Sequence, residues 1–350
     1  MKTDGDETRF RWMIYGANGY TGELIAREAV ARGEKPILAG RSAAKIEPLA
    51  RELQCEWRAF DLAQPDLSGV ALVLHCAGPF IHTSKAMVRA CLDAGVHYTD
   101  ITGEIAVFEA VMRRNEEAVQ RGVTLLPGAG FDVVPTDCLA AMLHERLSDA
   151  TELWLGINPS RAGASRGTLK TILEGLGRGG AIRRDGKIVV VPHAYDVREI
   201  PFASGPRLAM TIPWGDVSTA FHTTGIPNIR VYQATPPRVV KRLRRLRPLL
   251  PLMNLGPVKR FAQKRVDKHA GPSAEEREKG RVYLWGRVAN ARGEEVTMSM
   301  TVREGYRFTV LSSIAAVRRI LDGGARPGSF TPARLFGAEF VMGIDGTEVQ

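Results

Sequence analysis

Residues 11–22 read RWMIYGANGYTG, and this stretch decides the fold. Trp12, Met13, Ile14 and Tyr15 form a short apolar run of β-strand length. Gly16, Gly19 and Gly22 follow at three-residue intervals, and from Tyr20 the sequence reads as a helix with Leu24, Ile25, Ala29 and Val30 on one face. A strand, a glycine turn and a helix bring backbone N–H groups to a helix N-terminus, where unpaired donors and the helix dipole favour an anion such as a diphosphate. A side chain at Gly16 or Gly19 blocks the ligand's approach, and one at Gly22 pushes the helix off the strand. The alternative is a tight strand–helix turn that binds nothing.

Further along, Pro36–Gly40 reads as a second strand, and the residues after it bear on the cofactor. Dinucleotide sites that prefer NAD place an acid here to accept from the ribose 2′-hydroxyl. This chain has Arg41 and Ser42 instead. Arginine pairs with a 2′-phosphate through charge-assisted bonds, and the serine hydroxyl can donate to it. A solvated arginine opening the next helix, Ala43–Leu53, is the competing reading. Cys55–Phe60 is a third strand. It ends at Asp61, which either faces an adenine ring or caps the following turn.

Val70–Cys76 is a continuous apolar run, as expected of a parallel strand buried on both faces. It runs into Ala77, Gly78, Pro79 and Phe80, where small residues let a cofactor's sugars lie against the backbone. A helix over Thr83–Leu92, a strand over Val96–Asp100, a long helix over Ile105–Arg121 and a strand over Val123–Leu126 complete an alternation expected of a doubly wound sheet. Ligands of such sheets bind beyond the carboxyl ends of the strands. Tyr98, Asp100, Thr102 and Glu104 cluster at one of those ends, where a phenol and carboxylates can serve proton transfer. Equally, Asp100 and Thr102 can cap the helix from Ile105, and Glu104 can favour its N-terminus. Gly128, Ala129 and Gly130 form a turn into a helix over Thr136–Leu147, with Asp132 and Asp137 as caps. His75 reads as a core residue, while His97 and His222 are further site candidates.

The opening GANGYTG, the GRS of residues 40–42, HYTDITGE of 97–104 and PGAGFDVVPTD of 127–137 together resemble the saccharopine dehydrogenase-like family, in register over roughly residues 11–140. The basic and apolar remainder looks closest to its trans-acting enoyl reductase branch, whose members reduce a double bond on an acyl chain held by a polyketide synthase. The resemblance implies NADP bound at Gly16, Asn18, Gly19, Tyr20, Thr21, Gly22, Arg41 and Ser42. It says much less about substrate, because the second domain of that family diverges widely.

The expected fold is therefore α/β. A Rossmann-type doubly wound parallel sheet occupies residues 11–150, completed by a returning segment over 305–350. A second α+β domain, on a mostly antiparallel sheet of about six strands, covers 151–304. Its strands are expected at Glu152–Ile157, Lys187–Val191, Arg207–Pro213, Val217–His222, Ile229–Gln233 and a hairpin of Arg281–Ala291 with Glu294–Arg303. A helix is expected within Ser165–Gly180, and another over Gly305–Asp322. The first ten residues are polar and read as a loose tail without an apolar signal segment.

The 350 residues, 44% hydrophobic and 25% charged, suit a soluble globular protein, and no apolar run approaches membrane-spanning length. Cys55, Cys76, Cys91 and Cys138 show neither a CxxC pair nor a metal spacing, so free thiols in a reducing cytosol are expected and no metal is. The net charge of +10 favours acidic partners. It is concentrated in residues 237–270, where arginines and lysines interleave with leucines and valines broken by Pro248 and Pro251. That segment is read either as a basic amphipathic element lying on an anionic membrane surface or an acidic carrier protein, or as a packed hairpin with a solvated face. Nucleic acid is not expected, because no aromatic-interleaved sheet or helix-turn-helix accompanies the charge. A second copy of the chain, as a homodimer, remains open.

Three functions compete. The leading one is an NADPH-dependent enoyl reduction of a lipid-like acyl substrate, with Tyr98 as proton donor beside Asp100. The second is a saccharopine-type amino-acid dehydrogenase acting on a C–N bond. The third is a non-catalytic NADP-binding protein resident on lipid surfaces.

Overall fold

The computed structural model describes residues 10–350 except 161–162, 257, 259–261, 263–264 and 267–270. The first nine residues of the expected ten-residue tail, and Lys259, Arg260 and Lys264 of the basic segment, lie outside the described residues. The chain divides into two compact units.

The first unit comprises residues up to Phe131 together with Phe308–Phe336. Its elements are β1 (Trp12–Tyr15), α1 (Tyr20–Ala31), β2 (Ile37–Gly40), α2 (Ala43–Leu53), β3 (Trp57–Ala59), β4 (Leu72–His75), α3 (Phe80–Ala94), β5 (His97–Asp100), α4 (Ile105–Met112), α5 (Asn115–Gln120) and β6 (Thr124–Leu126). A short strand at Gly328–Ser329 completes a seven-stranded sheet, in the order Gly328–Ser329, β6, β5, β4, β1, β2, β3. Every neighbouring pair is parallel. β1, β2 and β4 are buried at every position, which is why they read as unbroken apolar runs. Val73, Met87, Cys91, Tyr98 and Leu125 pack in one core cluster with Met13 and Tyr15. The strand order reverses between β1 and β4, the switch point at which sheets of this kind bind ligands.

Two local expectations change here. On α1 the buried face is Gly22, Ile25, Ala26 and Ala29, so Leu24 and Val30 are only half-buried. The single helix expected over Ile105–Arg121 is two helices, α4 and α5. The break lies beside the added edge strand: the Ser329 hydroxyl donates to the carbonyl of Val111 at 3.0 Å, and Asn115 Oδ1 accepts from Ser329 N at 3.0 Å. The Val111 carbonyl also accepts from Arg114 N at 2.9 Å, in the tightened last turn before the break.

The second unit comprises Asp132–Arg307 and Gly337–Gln350. It contains α6 (Val134–Arg146), β7 (Glu152–Pro159), α7 (Arg166–Leu176), β8 (Gly180–Arg184), β9 (Lys187–Val191), β10 (Val197–Phe202), β11 (Gly205–Thr211), α8 (Asp216–Thr224), β12 (Asn228–Ala234), α9 (Pro237–Leu246), α10 (Ala274–Lys279), β13 (Arg281–Ala289) and β14 (Glu295–Arg303). The sheet has nine strands rather than about six. β8, β10 and a terminal strand at Glu348–Val349 were not foreseen. β7 and β12 run parallel, and the other neighbours are antiparallel. The strand expected over Val217–His222 is helix α8, with Asp216–Ala220 buried and the helix packed against α6 and β12.

The contacts place the boundary near residue 131 rather than 150. Helix α6 packs on α8, β13 and β14, and a Cβ on Gly286 of β13 would stand 2.6 Å from Leu143 of α6. Likewise the returning segment is shared: from Phe308 the helix α11 (Gly305–Arg319) belongs to the first unit, whereas Gly337–Gln350 belongs to the second. Among the described residues no helix is long and apolar enough to cross a membrane.

Candidate dinucleotide site

The glycine turn sits at the carboxyl end of β1. Gly16 has φ +90°, in the region that favours glycine, and a Cβ there would stand 2.8 Å from the backbone N of Ala77, beyond β4. The two sides of the switch point thus meet backbone to backbone. The N–H groups of Gly16 and Ala17 both donate to Ala39 O, at 2.7 and 3.1 Å, and Gly19 N donates to Gly16 O at 2.9 Å. A Cβ on Gly22 would overlap the Gly16 carbonyl oxygen, so this glycine lets α1 lie against the turn. Gly19 differs. Its φ of −80° is open to any residue, and a Cβ would meet only Gly16 O, at 3.1 Å. Gly19 has no side chain, so α1 begins, at Tyr20, Thr21 and Gly22, without a side-chain cap bond from its N-cap residue. This is the cradle a diphosphate requires.

Asn18 spans from this turn to the end of β2: its Oδ1 lies 3.1 Å from where a Cβ on Gly40 would stand. Arg41, next in the chain, is exposed. Ser42 is the N-cap residue of α2, but its hydroxyl makes no capping bond. A serine at an N-cap usually spends its oxygen on the helix, so both side chains that can hold a 2′-phosphate are uncommitted to the helix they precede. Asp61 Oδ1 accepts from Ala63 N at 2.9 Å, forming the turn expected of it. Its charge also reaches Tyr15: burial first, and Asp61 second, raise the Tyr15 phenol above its ordinary value, while Arg41 acts against them. Tyr15 donates to Phe60 O at 3.2 Å, and Arg41, Asp61 and the carboxyl end of β1 therefore share one neighbourhood.

Beyond β4, Ala77, Gly78, Pro79 and Phe80 lead into α3. The N-terminus of α3 is already occupied: Glu104 accepts from Phe80 N at 2.7 Å and from Ile81 N at 2.9 Å. Glu104 was expected to favour the helix that follows it, and instead it closes another helix. The first two amides of α3 are thus taken by a carboxylate, whereas the N-cap residues of α1 and α2 make no side-chain cap bond. His75 is wholly buried. The Thr83 hydroxyl donates to Ala77 O at 2.7 Å, so it accepts from His75 Nε2 at 3.0 Å. That fixes the proton on Nε2 and leaves Nδ1 buried without a partner. Burial pushes the imidazole down to about 3.

Tyr98 and Asp100 form a closed pair. Tyr98 is 0% exposed and donates to Asp100 Oδ2 at 2.6 Å, while Oδ1 accepts from Thr102 N at 3.0 Å and Gly128 N at 2.8 Å. Burial pushes Asp100 up to about 6 against the pull of these bonds. Burial, then Asp100, lifts the Tyr98 phenol well above 10. A donor to substrate needs a face toward it, and neither group has one. What the pair holds is the Gly128–Gly130 turn, which α11 secures from the other side: Ser312 donates to Ala129 O at 2.8 Å, and Phe131 N donates to Thr309 Oγ1 at 3.0 Å.

With this geometry in place, the comparison with known proteins is direct. Residues 12–126 match the family described as the saccharopine dehydrogenase NADP binding domain. The first unit of this chain carries a saccharopine dehydrogenase-type NADP-binding domain. The saccharopine dehydrogenase-like oxidoreductase of Mus musculus is 28% identical over 51% of this chain and 49% of its own length. A trans-acting enoyl reductase of Mycobacterium bovis is 29% identical over 40% of this chain and 37% of its own. The chain thus spans about half the length, or less, of these curated relatives. Apo saccharopine dehydrogenase (L-Glu forming) from Saccharomyces cerevisiae shares the fold, with a TM-score of 0.63 at 12% identity over 97% of this chain and 99% of that one.

Within the saccharopine dehydrogenase-type domain, the structure brings Gly16, Asn18, Gly19, Tyr20, Thr21 and Gly22 together with Arg41 and Ser42 around the carboxyl ends of β1 and β2. Sequence reasoning missed Glu104 as the cap of α3, and Thr309 and Ser312 as supports of the Gly128 turn. The only signal for the last two was the polar interruption of an otherwise apolar helical face, which gives no direction in space.

Proposed function

We propose that this protein is an NADPH-dependent reductase of an enoyl acyl substrate. The observation that carries the cofactor half is the pair Arg41 and Ser42, exposed or half-exposed at the end of β2 and unused by α2, where an NAD-selective site needs an acid. NADPH, when bound, supplies a hydride. The chain's residues bind and orient it: the glycine turn at the first turn of α1 receives the diphosphate, Arg41 and Ser42 the 2′-phosphate, and the wall at Ala77–Phe80 bounds the sugar side. Glu104 on the α3 N-terminus keeps a second anion from that helix. The double bond as target rests on the likeness to the trans-acting enoyl reductase.

Consumption of NADPH against α,β-unsaturated acyl thioesters, and against a 2-oxo acid with an amine, tests the proposal. Turnover of the thioester that falls with Arg41→Ala supports it. Turnover confined to the oxo acid and amine favours the amino-acid dehydrogenase, and cofactor binding without turnover of either favours a binding protein.

A further inference from the structure

The segment after β12 makes an unusual surface. From Arg238 to Arg247 there are six cations and no acid, and no acid follows before Gly256. Two of the six are structural: Arg244 and Arg247 donate to the carbonyls of His193 and Ala194, fixing the element to the chain between β9 and β10. Arg238, Lys241, Arg242 and Arg245 stay exposed on α9, while Val240 is buried beneath it. The chain then continues as a 3₁₀ helix over Arg247–Asn254. With three residues per turn, positions three apart line one edge. Leu249, Leu252 and Leu255 occupy that edge or its end, and they are 57%, 50% and 53% exposed. Leu250, on another side, lines a cavity of about 350 Å³ with Leu176, Val191 and Pro251. The fold therefore had an apolar place for one leucine of this helix and turned three others out.

We propose that this edge is a docking surface for an anionic lipid membrane, with Leu249, Leu252 and Leu255 entering the headgroup–acyl boundary and Arg238, Lys241, Arg242 and Arg245 meeting the lipid phosphates. Exposed apolar residues in a row mark an interaction site. Basic residues beside such a row are the composition of an interfacial element. The leucines protrude from a helix and do not line its groove, which suits a fluid surface that yields to them better than a folded partner that must supply matching pockets. The absence of any acid along the element removes the internal pairing that would neutralise it, so its attraction to an anionic leaflet is undiluted. The surface is independent of the reaction proposed above.

The test is co-sedimentation of the full chain with phosphatidylcholine vesicles, with and without phosphatidylglycerol. Binding to the anionic vesicles, reduced about tenfold or more at high salt and in the triple variant Leu249→Ser, Leu252→Ser, Leu255→Ser, supports the proposal. Arg242→Glu with Arg245→Glu should lower binding to anionic vesicles to a similar degree. Near-ultraviolet circular dichroism and NADPH affinity should match the parent in both variants, showing an intact fold. No binding to anionic vesicles overturns the proposal, as does equal binding by the folded serine variant. A parent dimer that the serine changes convert to monomer, without vesicle binding, assigns the edge to a second copy instead.

Discussion

Gly19 and Gly22 lie three residues apart in one motif, and substituting each with alanine should damage different things. A methyl on Gly22 overlaps the carbonyl oxygen of Gly16 and stands 3.0 Å from Ala17 Cα, both backbone atoms that cannot swing aside. Relieving an overlap of roughly 1 Å moves α1 off β1, and overpacking of this kind costs ~1–3 kcal/mol. Alanine's better helix propensity returns about 1 kcal/mol, so Gly22→Ala should lose up to about 2 kcal/mol of stability without any ligand present. A methyl on Gly19 meets one atom at 3.1 Å, on a backbone of φ −80° that alanine adopts freely. Restricting the unfolded chain offsets that close contact by about 0.4–1 kcal/mol, so the apo stability of Gly19→Ala should match the parent within ~0.5 kcal/mol. Its methyl, however, stands at the N-cap of α1, where the diphosphate is proposed to bind. Affinity for NADPH should fall by ~3 kcal/mol, about a hundredfold, as charge-assisted contacts are held apart. Urea denaturation of the apo proteins gives the first quantity and fluorescence titration with NADPH the second. Equal destabilisation of both apo variants, or undiminished NADPH binding by Gly19→Ala, would refute the assignment of Gly19 to the ligand and Gly22 to the fold.

Arg41→Ala should weaken NADPH by about 1.5–3 kcal/mol and leave NADH nearly unchanged, since the lost partner is a phosphate; parallel titrations check it, and equal losses would remove Arg41 from the 2′ position. His75 has a folded value near 3 against 6.5 for the free group, so its contribution is whole above about 6.5 and is lost as pH falls toward 3. Relative to His75→Gln, the parent should therefore lose about 1.4 kcal/mol per pH unit between pH ~6 and ~4, measured by urea denaturation; a difference that does not change with pH refutes the buried neutral imidazole. Asp100, raised to about 6, acts in the opposite sense, favouring the fold at low pH and losing that contribution as pH rises through about 6. The comparison with His75→Gln isolates the histidine because Asp100 is common to both proteins. Glu104→Ala should cost ~1–2 kcal/mol by uncapping α3, and Glu104→Gln less, because an acceptor remains; matching losses in denaturation would show that the carboxylate's bonds to Phe80 and Ile81 are not what matters.

The parallel sheet was legible because its information is local. Strands β1, β2 and β4 are apolar runs between helical periods, buried at every position. What was lost there has a non-local cause. Where helix α4 ends, near residue 112, Ser329, more than two hundred residues later, donates to the Val111 carbonyl, and nothing near Val111 in the sequence announces that partner. The second unit was harder for the same reason. Val217–His222 reads as a strand in a short window, yet it lies in a helix packed on α6, a partner some eighty residues earlier in the chain. The boundary followed α6 as well, since Gly286 makes room for Leu143 at a distance of well over a hundred residues.

The two halves of the candidate site differ in the same way, and the difference is chemical. A diphosphate at a helix N-terminus is bound by backbone groups, so the sequence records the site as absent side chains at fixed spacing: Gly16, Gly19 and Gly22 are visible because glycine there has few substitutes. A proton donor carries no such spacing. Tyr98 and Asp100 had the right chemistry at the right strand end, but a side chain two residues before a strand's last position points into one face of the sheet or the other. Here it points into the core, where Tyr98 spends its proton on Asp100 and Asp100 spends its second oxygen on the Gly128 turn. Removing that hydroxyl should consequently register in stability before it registers in chemistry. Tyr98→Phe leaves Asp100 Oδ2 without its donor in a fully buried place, which costs ~1–3 kcal/mol. The same loss raises the carboxyl further, because the Tyr98 bond is among those holding it down. The variant should thus be less stable than the parent at neutral pH, where the parent carboxyl is ionised, and should recover part of the difference below pH ~5, where Asp100 is protonated and its oxygen no longer demands a donor. Urea denaturation at the two pH values reads both effects. A variant as stable as the parent at neutral pH, but unable to reduce a substrate that the parent turns over with NADPH, would return Tyr98 to the role of proton donor.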